Sequence, residues 1–374
     1  MAWLELALPP SLRPAWLGER TVCIPIEPGE EACVIEGPDR PTLGFDLDSA
    51  IARLEDERWA EEMRSLTQRL PFAYDRLPWA LRGLGAVAVF TPQRVLRVLR
   101  TRQEPGWPVA PALDVLRALR GDPVLPGWRE ATWGFVVTCD VDSPAGWRRA
   151  LAVADTVEEV GMRAAFFVVG EVLASAPEIG HELVARGHEI GSHDVRHDNR
   201  LTTLAVPALH DRLAAARESV APYGGVGFRS PSLLRSPRLL GAVAQHFDYD
   251  SSVCDTDLEC SRGVTTVRPY MLRGGVVLPI TLPMDSSLRF TLHGKEAISA
   301  IWREKCEWIR ALGGLATLAI HAEPQLSGGK AFRRIVAEFL AWIRAHDDVE
   351  VLLPREVATR TAQLSRHPAP PRGE

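Results

Sequence analysis

Gly134-Phe135-Val136-Val137-Thr138-Cys139-Asp140-Val141-Asp142 is the stretch from which the rest of the chain is read. It is apolar, rich in β-branched residues and long enough for one buried strand, and it ends in two aspartates one residue apart. Alternate residues of a strand share a face, so Asp140 and Asp142 point the same way. Downstream the pattern repeats. Helical stretches are expected at 146–160, 171–186, 201–220, 297–312 and 329–346. Strands are expected at 163–170, 188–193, 227–231, 247–252, 276–283, 315–321 and 349–353. Strands alternating with helices of this length mean βα units on a parallel sheet. Seven or eight units predict an α/β fold: a (β/α)7–8 barrel over residues 131–357, closed or incompletely closed.

The first 130 residues read differently. A hairpin is expected at 21–26 and 32–36 around Pro28-Gly29, then a charge-rich helix at 47–70. Three shorter apolar helices follow, punctuated by Pro78, Pro92, Pro105 and Pro108. This predicts a separate N-terminal α+β region of unassigned role, joined to the barrel through the loop around Gly121–Arg129. The tail, 358–374, is polar with Pro368, Pro370 and Pro371, and is expected to be disordered.

Composition narrows the function classes. Among 374 residues, 43 Lys+Arg face 48 Asp+Glu, a net charge of −5. That balance offers no basic field for a phosphate backbone, so no nucleic-acid partner is expected. The lysines are only Lys295, Lys305 and Lys330, which leaves few candidates for Schiff-base chemistry. No apolar run approaches the ~18 residues of a membrane span. Residues 1–20 lack the basic-then-apolar layout of a secretory signal, so a cytoplasmic location is expected. Cys23, Cys33, Cys139, Cys254, Cys260 and Cys306 form no C-x-x-C pair and read as reduced thiols.

Several strand ends carry chemistry. Two carboxylates at the mouth, Asp140 and Asp142, repel each other unless a cation relieves them. Gly191-Ser192-His193-Asp194-Val195-Arg196-His197 follows a short strand, and histidines four apart share one face of a helical turn. Two imidazoles and one carboxylate, with a position left open, suit a catalytic divalent metal better than a structural one. Arg229, in Phe228-Arg229-Ser230-Pro231, is placed to pair with an aspartate, and His321 ends the late apolar strand. Other features read as decoys. Asp46-Leu47-Asp48 leads straight into a helix, so Asp48 is expected to cap it. Cys254, Asp255, Asp257 and Cys260 read as a loop rather than a second metal site. Trp107, Trp128, Trp133 and Trp147 read mainly as core, and His181 and His188 as flanking a helix end.

These pieces, in this order, resemble the polysaccharide deacetylase family, also called the NodB-homology domain or carbohydrate esterase family 4. The resemblance covers about residues 133–357. Asp140-Val141-Asp142 resembles the family's first motif in its interrupted Asp-x-Asp variant, and His193…His197 its His-x-x-x-His motif. Arg229-Ser230-Pro231 resembles the Arg-x-Pro motif without its usual glycine. Tyr249-Asp250-Ser251-Ser252, the strand running to Asp285, and His321 resemble the later motifs. The resemblance implies a hydrolase of carbon–nitrogen bonds that removes an N-acetyl or related acyl group from an amino sugar or glycan. It implies a divalent ion held by Asp142, His193 and His197, zinc first, with Co2+, Ni2+, Mn2+ and Fe2+ as the others. It further implies Asp140 as general base, His321 as general acid and Arg229 as the partner of Asp140. Asp285, or else Asp250, would orient His321. Asp-x-Asp relatives that deformylate a polyprenyl-linked amino sugar make a lipid-linked carbohydrate the alternative substrate. A non-catalytic glycan-binding scaffold is the remaining alternative. A metal-free allantoin-type relative is disfavoured by the intact histidine pair.

Overall fold

The apolar run ending in Asp140 and Asp142 becomes an interior strand of a curled, mostly parallel sheet, fully buried along its length. The computed structural model describes residues 21–27, 30–35, 42–43, 45–57, 111–122, 128–255 and 266–366, with 81, 84, 85, 87 and 88. Ahead of the barrel, β1 (Thr21–Glu27), β2 (Glu30–Ile35) and β3 (Thr42–Leu43) form a small antiparallel sheet, which includes the expected hairpin. Helices α1 (Leu47–Glu55) and α2 (Ala112–Arg120) follow. The expected helix beyond residue 57, and most of the short apolar helices, lie outside the described residues.

The barrel begins with β4 (Trp133–Val141), α3 (Pro144–Trp147), α4 (Ala150–Glu158) and β5 (Ala164–Val168). It continues through α5 (Gly170–Leu173), α6 (Pro177–Ala185), β6 (Glu189–Ser192), α7 (Val206–Val220) and β7 (Gly227–Phe228). Next come α8 (Pro237–His246), β8 (Tyr249–Asp250), β9 (Tyr270–Leu272) and β10 (Gly275–Val277). The last elements are α9 (Asp285–Phe290), α10 (Lys295–Ala311), β11 (Leu315–His321), α11 (Lys330–Arg344), β12 (Val349–Val351) and α12 (Pro354–Arg366). The strand order is β11-β4-β5-β6-β7-β8-β10-β9, with β12 beside the start of β4. All pairs are parallel except β9 with β10. Two expected helices are each split in two: Pro177 opens α6, where a proline costs no helix hydrogen bond, and 150–158 is separated from α3.

The sheet does not close as a ladder. The chain after β10 crosses the gap to β11 through single bonds: Thr281 Oγ1 donates to Leu315 O at 2.8 Å, Thr317 N–H to Thr281 Oγ1 at 2.7 Å and Leu282 N–H to Thr317 O at 3.2 Å. This is the open, incompletely closed barrel foreseen from the sequence.

Alternation sorts the strand residues into two cores. Phe135, Val137, Cys139, Phe166 and Val168 face the surrounding helices, whereas Val136, Ala165, Phe167, Tyr249 and Leu315 pack inside with Val357 and Ala358 of α12. That helix corrects the expected disordered tail over residues 358–366. Val357, Ala358 and Thr361 are buried, while charged residues occupy its other face and made the segment look solvated. Residues 367–374 lie outside the described residues. The N-terminal region is also less separate than expected. Ile51, Leu54, Leu113 and Leu116 share one core with Leu240, Val253, Tyr270 and Val277 of the barrel. Two buried carboxylates fasten it: Glu57 receives both arms of Arg235, and Asp114 receives Thr266 Oγ1–H and Val267 N–H. α1 is capped by Asp46, whose Oδ1 accepts from Ser49 N–H at 3.0 Å. Asp48, the expected cap, sits in the first turn and pairs with Arg120 at 3.1 Å. β9 was not foreseen. Its hairpin with β10 turns on Arg273 and Gly274, both at positive φ (50° and 92°), as a two-residue type I′ turn requires.

Candidate metal and acid–base site

The register of three neighbouring strands assembles the site. His321 at the end of β11 lies opposite Asp140 on β4, and Asp140 lies opposite Phe167 on β5. Thr138 and Asp140 face the barrel interior, and Asp142 continues that face beyond the strand end.

Arg229, just past β7, is fully buried, and its Nη1–H donates to Asp140 Oδ1 at 2.6 Å. Nη2–H donates to Thr138 Oγ1 at 3.0 Å and Ser251 Oγ at 2.9 Å, and Nε–H to Ser251 O at 3.0 Å. The guanidinium lies 4.3 Å from the centre of the Phe167 ring. So many partners leave Arg229 a single orientation and hold Asp140 with it.

Asp142, His193 and His197 converge, with one candidate ligand atom from each lying within 4.8 Å of the others. His193 Nε2 is 3.3 Å and His197 Nε2 3.7 Å from Asp142 Oδ1, which has no well-formed hydrogen bond. His193 Nδ1 is 2.8 Å from Arg229 O; a proton there leaves Nε2 with its lone pair towards Asp142. Burial alone would raise the Asp142 carboxyl, but His197 and His193 hold it well below the ordinary range. Burial alone would lower His193, and Asp140 and Asp142 raise it instead. A buried carboxylate oxygen short of donors between two imidazole nitrogens is the arrangement a divalent ion completes, so the residues fit the expected ion. Among the described residues this is the one such cluster.

The histidine pair does not lie on a helical turn, as the spacing suggested. Residues 193–198 form an irregular loop after β6, with Asp194 at φ 65°.

His321 Nδ1 is 2.6 Å from Asp285 Oδ1. Asp285 is fully buried and also accepts from Ser286 N–H, His321 N–H, Ser327 N–H and Ser327 Oγ–H at 2.8, 3.0, 3.1 and 2.6 Å. Burial would lower the His321 pKa, but Asp285 raises it well above the usual histidine range. Asp250, the other aspartate considered for His321, faces away from it. Its register partner Val277 packs with α1 and α2 outside the barrel, and its Oδ1 accepts from Ser252 N–H and Oγ–H.

Some neighbours carried no signal beforehand. Glu323 Oε1 accepts from Asp142 N–H at 3.1 Å and Ser143 Oγ–H at 3.2 Å, fixing the turn that carries Asp142. A second acidic group two residues past the strand-end histidine was the only available hint. Ser327 had none, and Ser251 entered only as part of the Tyr249-Asp250-Ser251-Ser252 stretch, with no role read for it. Of the other features read as decoys, Asp48 does not cap its helix as expected, and Trp107 lies outside the described residues; the rest agree with the reading where described. Trp133 and Trp147 are core, His188 binds Glu158 at 2.7 Å and Asp255 pairs with Lys305 at 3.1 Å. Asp257 and Cys260 lie outside the described residues. No helix among the described residues is long and apolar enough to cross a membrane.

Comparison with known proteins bears on this geometry. Residues 136–246 match the family model for polysaccharide deacetylase. A chitooligosaccharide deacetylase of Bradyrhizobium sp. (strain ANU 289) is 27% identical over 111 residues, covering 26% of this chain and 49% of that relative. The chain thus spans about half the length of the curated relative it matches. Among solved structures, a protein of Mycobacterium smegmatis described as a polysaccharide deacetylase aligns with TM-score 0.55 and 22% identity, over 67% of this chain and 98% of that one. One of Pseudomonas aeruginosa PAO1, described likewise, aligns with TM-score 0.54 and 18% identity, over 67% and 97%. The Puue allantoinase aligns with TM-score 0.53 and 17% identity, over 67% and 96%. At these identities the structural likeness establishes the fold alone.

Proposed function

We propose that this chain, whose barrel belongs to the polysaccharide deacetylase family, is a metal-dependent hydrolase that removes an N-acetyl or related acyl group from an amino sugar or glycan. The observation that carries the reading is the convergence of Asp142, His193 and His197 beside two separately paired acid–base groups, Asp140 with Arg229 and His321 with Asp285. An ion held by Asp142, His193 and His197, zinc first, would supply polarisation of the acyl carbonyl and a lower pKa for attacking water, about 7 in well-tuned zinc sites.

The chain's own residues supply the proton chemistry. Asp140 is the general base, and Arg229 fixes the orientation of its carboxylate while balancing its charge. His321 is the general acid. With Nδ1 committed to Asp285, Nε2 is the atom that hands a proton to the departing nitrogen, which is a poor leaving group unprotonated. Glu323 holds the Asp142 turn, and Arg229 O holds His193. A scaffold that only binds glycan would not need both paired acid–base groups, so the catalytic reading is preferred. The chitooligosaccharide named for the Bradyrhizobium relative supports an N-acyl amino sugar as the substrate class.

The test is acyl release from N-acetyl and N-formyl amino sugars, free and polyprenyl-linked, by chelator-stripped protein and by protein reloaded with Zn2+ or Co2+. Acetate or formate released only by the reloaded protein is expected, and the better substrate identifies the acyl group. Equal release by stripped protein, or none from any substrate by folded, metal-loaded protein, would overturn the reading.

A further inference from the structure

The two histidines of the candidate metal site sit on a stretch with no regular structure to set their spacing. Something else must hold His193 and His197 towards Asp142. One side is fixed by backbone: Gly170 N–H and Glu171 N–H, at the start of α5, donate to Asp194 O and Val195 O at 2.8 and 3.1 Å. His193 itself is further held by Val168 O and Arg229 O, and Arg196 pairs with Glu171. The group that ties the residues flanking both histidines together is one side chain, Arg212 of α7.

Arg212 Nε–H donates to Asp194 Oδ1 at 2.9 Å, and Nη2–H to Asp194 Oδ2 at 2.6 Å. Nη1–H donates to Asp198 Oδ2 at 2.8 Å, and Nη2–H to Asp198 Oδ1 at 2.8 Å. Nη2–H also reaches Arg196 O at 2.9 Å. Residues 194, 196 and 198 are thus all tied to one guanidinium. They are the residue after the first histidine and the residues on either side of the second.

The loop conformation also carries a strain that needs holding. Asp194 is at φ 65°, a region a non-glycine residue enters at a cost, and its side chain is buried. Its Oδ1 also accepts from Val195 N–H at 2.6 Å. Aspartate tolerates that backbone when its carboxylate is bound locally, and here the carboxylate is bound twice over.

We propose that Arg212 is a positioning residue for the metal site. By gripping Asp194, Arg196 and Asp198 together, it sets the separation and orientation of the His193 and His197 imidazoles before an ion arrives. The inference rests on the reading of Asp142, His193 and His197 as metal ligands. Arg212 touches neither histidine in this network; it acts through the backbone and carboxylates that flank them. Lysine cannot replace it, because one ammonium cannot span two carboxylates and a carbonyl with the fork geometry of a guanidinium.

The test uses the full chain and two probes, Zn2+ in competition with a chromophoric chelator and the visible absorption spectrum of Co2+-loaded protein. Arg212→Lys should weaken Zn2+ binding by about 10–100-fold, the range typical for losing a group that orients a metal ligand. Its Co2+ spectrum should shift, since the imidazoles no longer meet the ion at the same angles. Asp198→Asn, which keeps the Asp194 pairing, should show a smaller loss of the same kind. It decides the question if Arg212→Lys fails to fold. A merely structural Arg212 would lower the unfolding midpoint and leave both the Zn2+ affinity and the Co2+ spectrum of the folded variants unaltered, and that result overturns the inference. Failure of the underlying reading looks different: the unsubstituted chain would itself bind no Zn2+ that His193→Ala removes.

Discussion

Removing Arg229 isolates a buried charge, which makes the cost calculable. Arg229 is fully buried and Asp140 is 2% exposed, with 2.6 Å between Nη1 and Oδ1. Arg229→Gln deletes the cation and leaves the buried Asp140 carboxylate without its counter-charge. Breaking one side of a buried pair costs about 3–5 kcal/mol. Asp140→Asn costs less, about 1–3 kcal/mol, because Arg229 keeps Thr138 Oγ1, Ser251 Oγ and Ser251 O as acceptors. The double variant removes both charges at once. Its cost should therefore fall short of the sum of the two single costs by about 2 kcal/mol, within the range found for directly coupled neighbours. The assay is urea unfolding followed by tryptophan fluorescence, in chelator, so that ion binding contributes nothing to the measured stability. Additivity within about 0.5 kcal/mol would refute the reasoning, because it would mean that the two charges do not depend on each other.

Other expectations follow from single residues. Burial lifts the Asp250 carboxyl from 3.8 to about 6, so its contribution to stability is present below pH 3.8 and is lost as pH rises through about 6. Asp250→Asn cannot ionise, so its stability relative to the unsubstituted chain should improve by about 2 kcal/mol from pH 4.5 to 7.5 in urea titrations; no change with pH would contradict this. Asp142→Asn should lose bound metal on elemental analysis, whereas Asp140→Asn should retain it and lose turnover by about 10²–10⁴-fold; the opposite pattern would reverse the two roles. His321→Ala should slow amide hydrolysis far more than hydrolysis of the matching ester, whose alkoxide leaves without prior protonation; equal losses on the two substrates would point to positioning instead.

The parts of the fold legible in the sequence were those with a period. The 133–141 and 315–321 strands are continuous apolar runs, and both formed, in register, with His321 opposite Asp140. Arg229 and His321 were recognisable because strand ends in a (β/α) barrel converge on one mouth. The misreadings came where tertiary contact overrode a local pattern. His193 and His197 have helical spacing, but a left-handed Asp194 and the α5 amides hold them in a loop. Asp250, the alternative to Asp285 as partner of His321, sits in a motif-like stretch, yet strand alternation turns it to the outer face, where its register partner Val277 packs with α1 and α2. α12 looked solvated because its narrow apolar stripe, Val357, Ala358 and Thr361, is meaningful only against the bottom of the barrel. Ser327 and Arg212 could not have been found by spacing, since their partners are fixed by folding rather than by sequence neighbourhood.

The central claim is that one ion, held by Asp142, His193 and His197, is required for acyl-amide hydrolysis by the groups around it. The most direct measurement is acyl release by chelator-stripped protein as Zn2+ is added in known equivalents. The rate is expected to start near zero, rise linearly and break at one equivalent per chain, and to stay flat throughout in His193→Ala. Full turnover by the stripped protein, or a His193→Ala curve that superimposes on that of the unsubstituted chain, would contradict it.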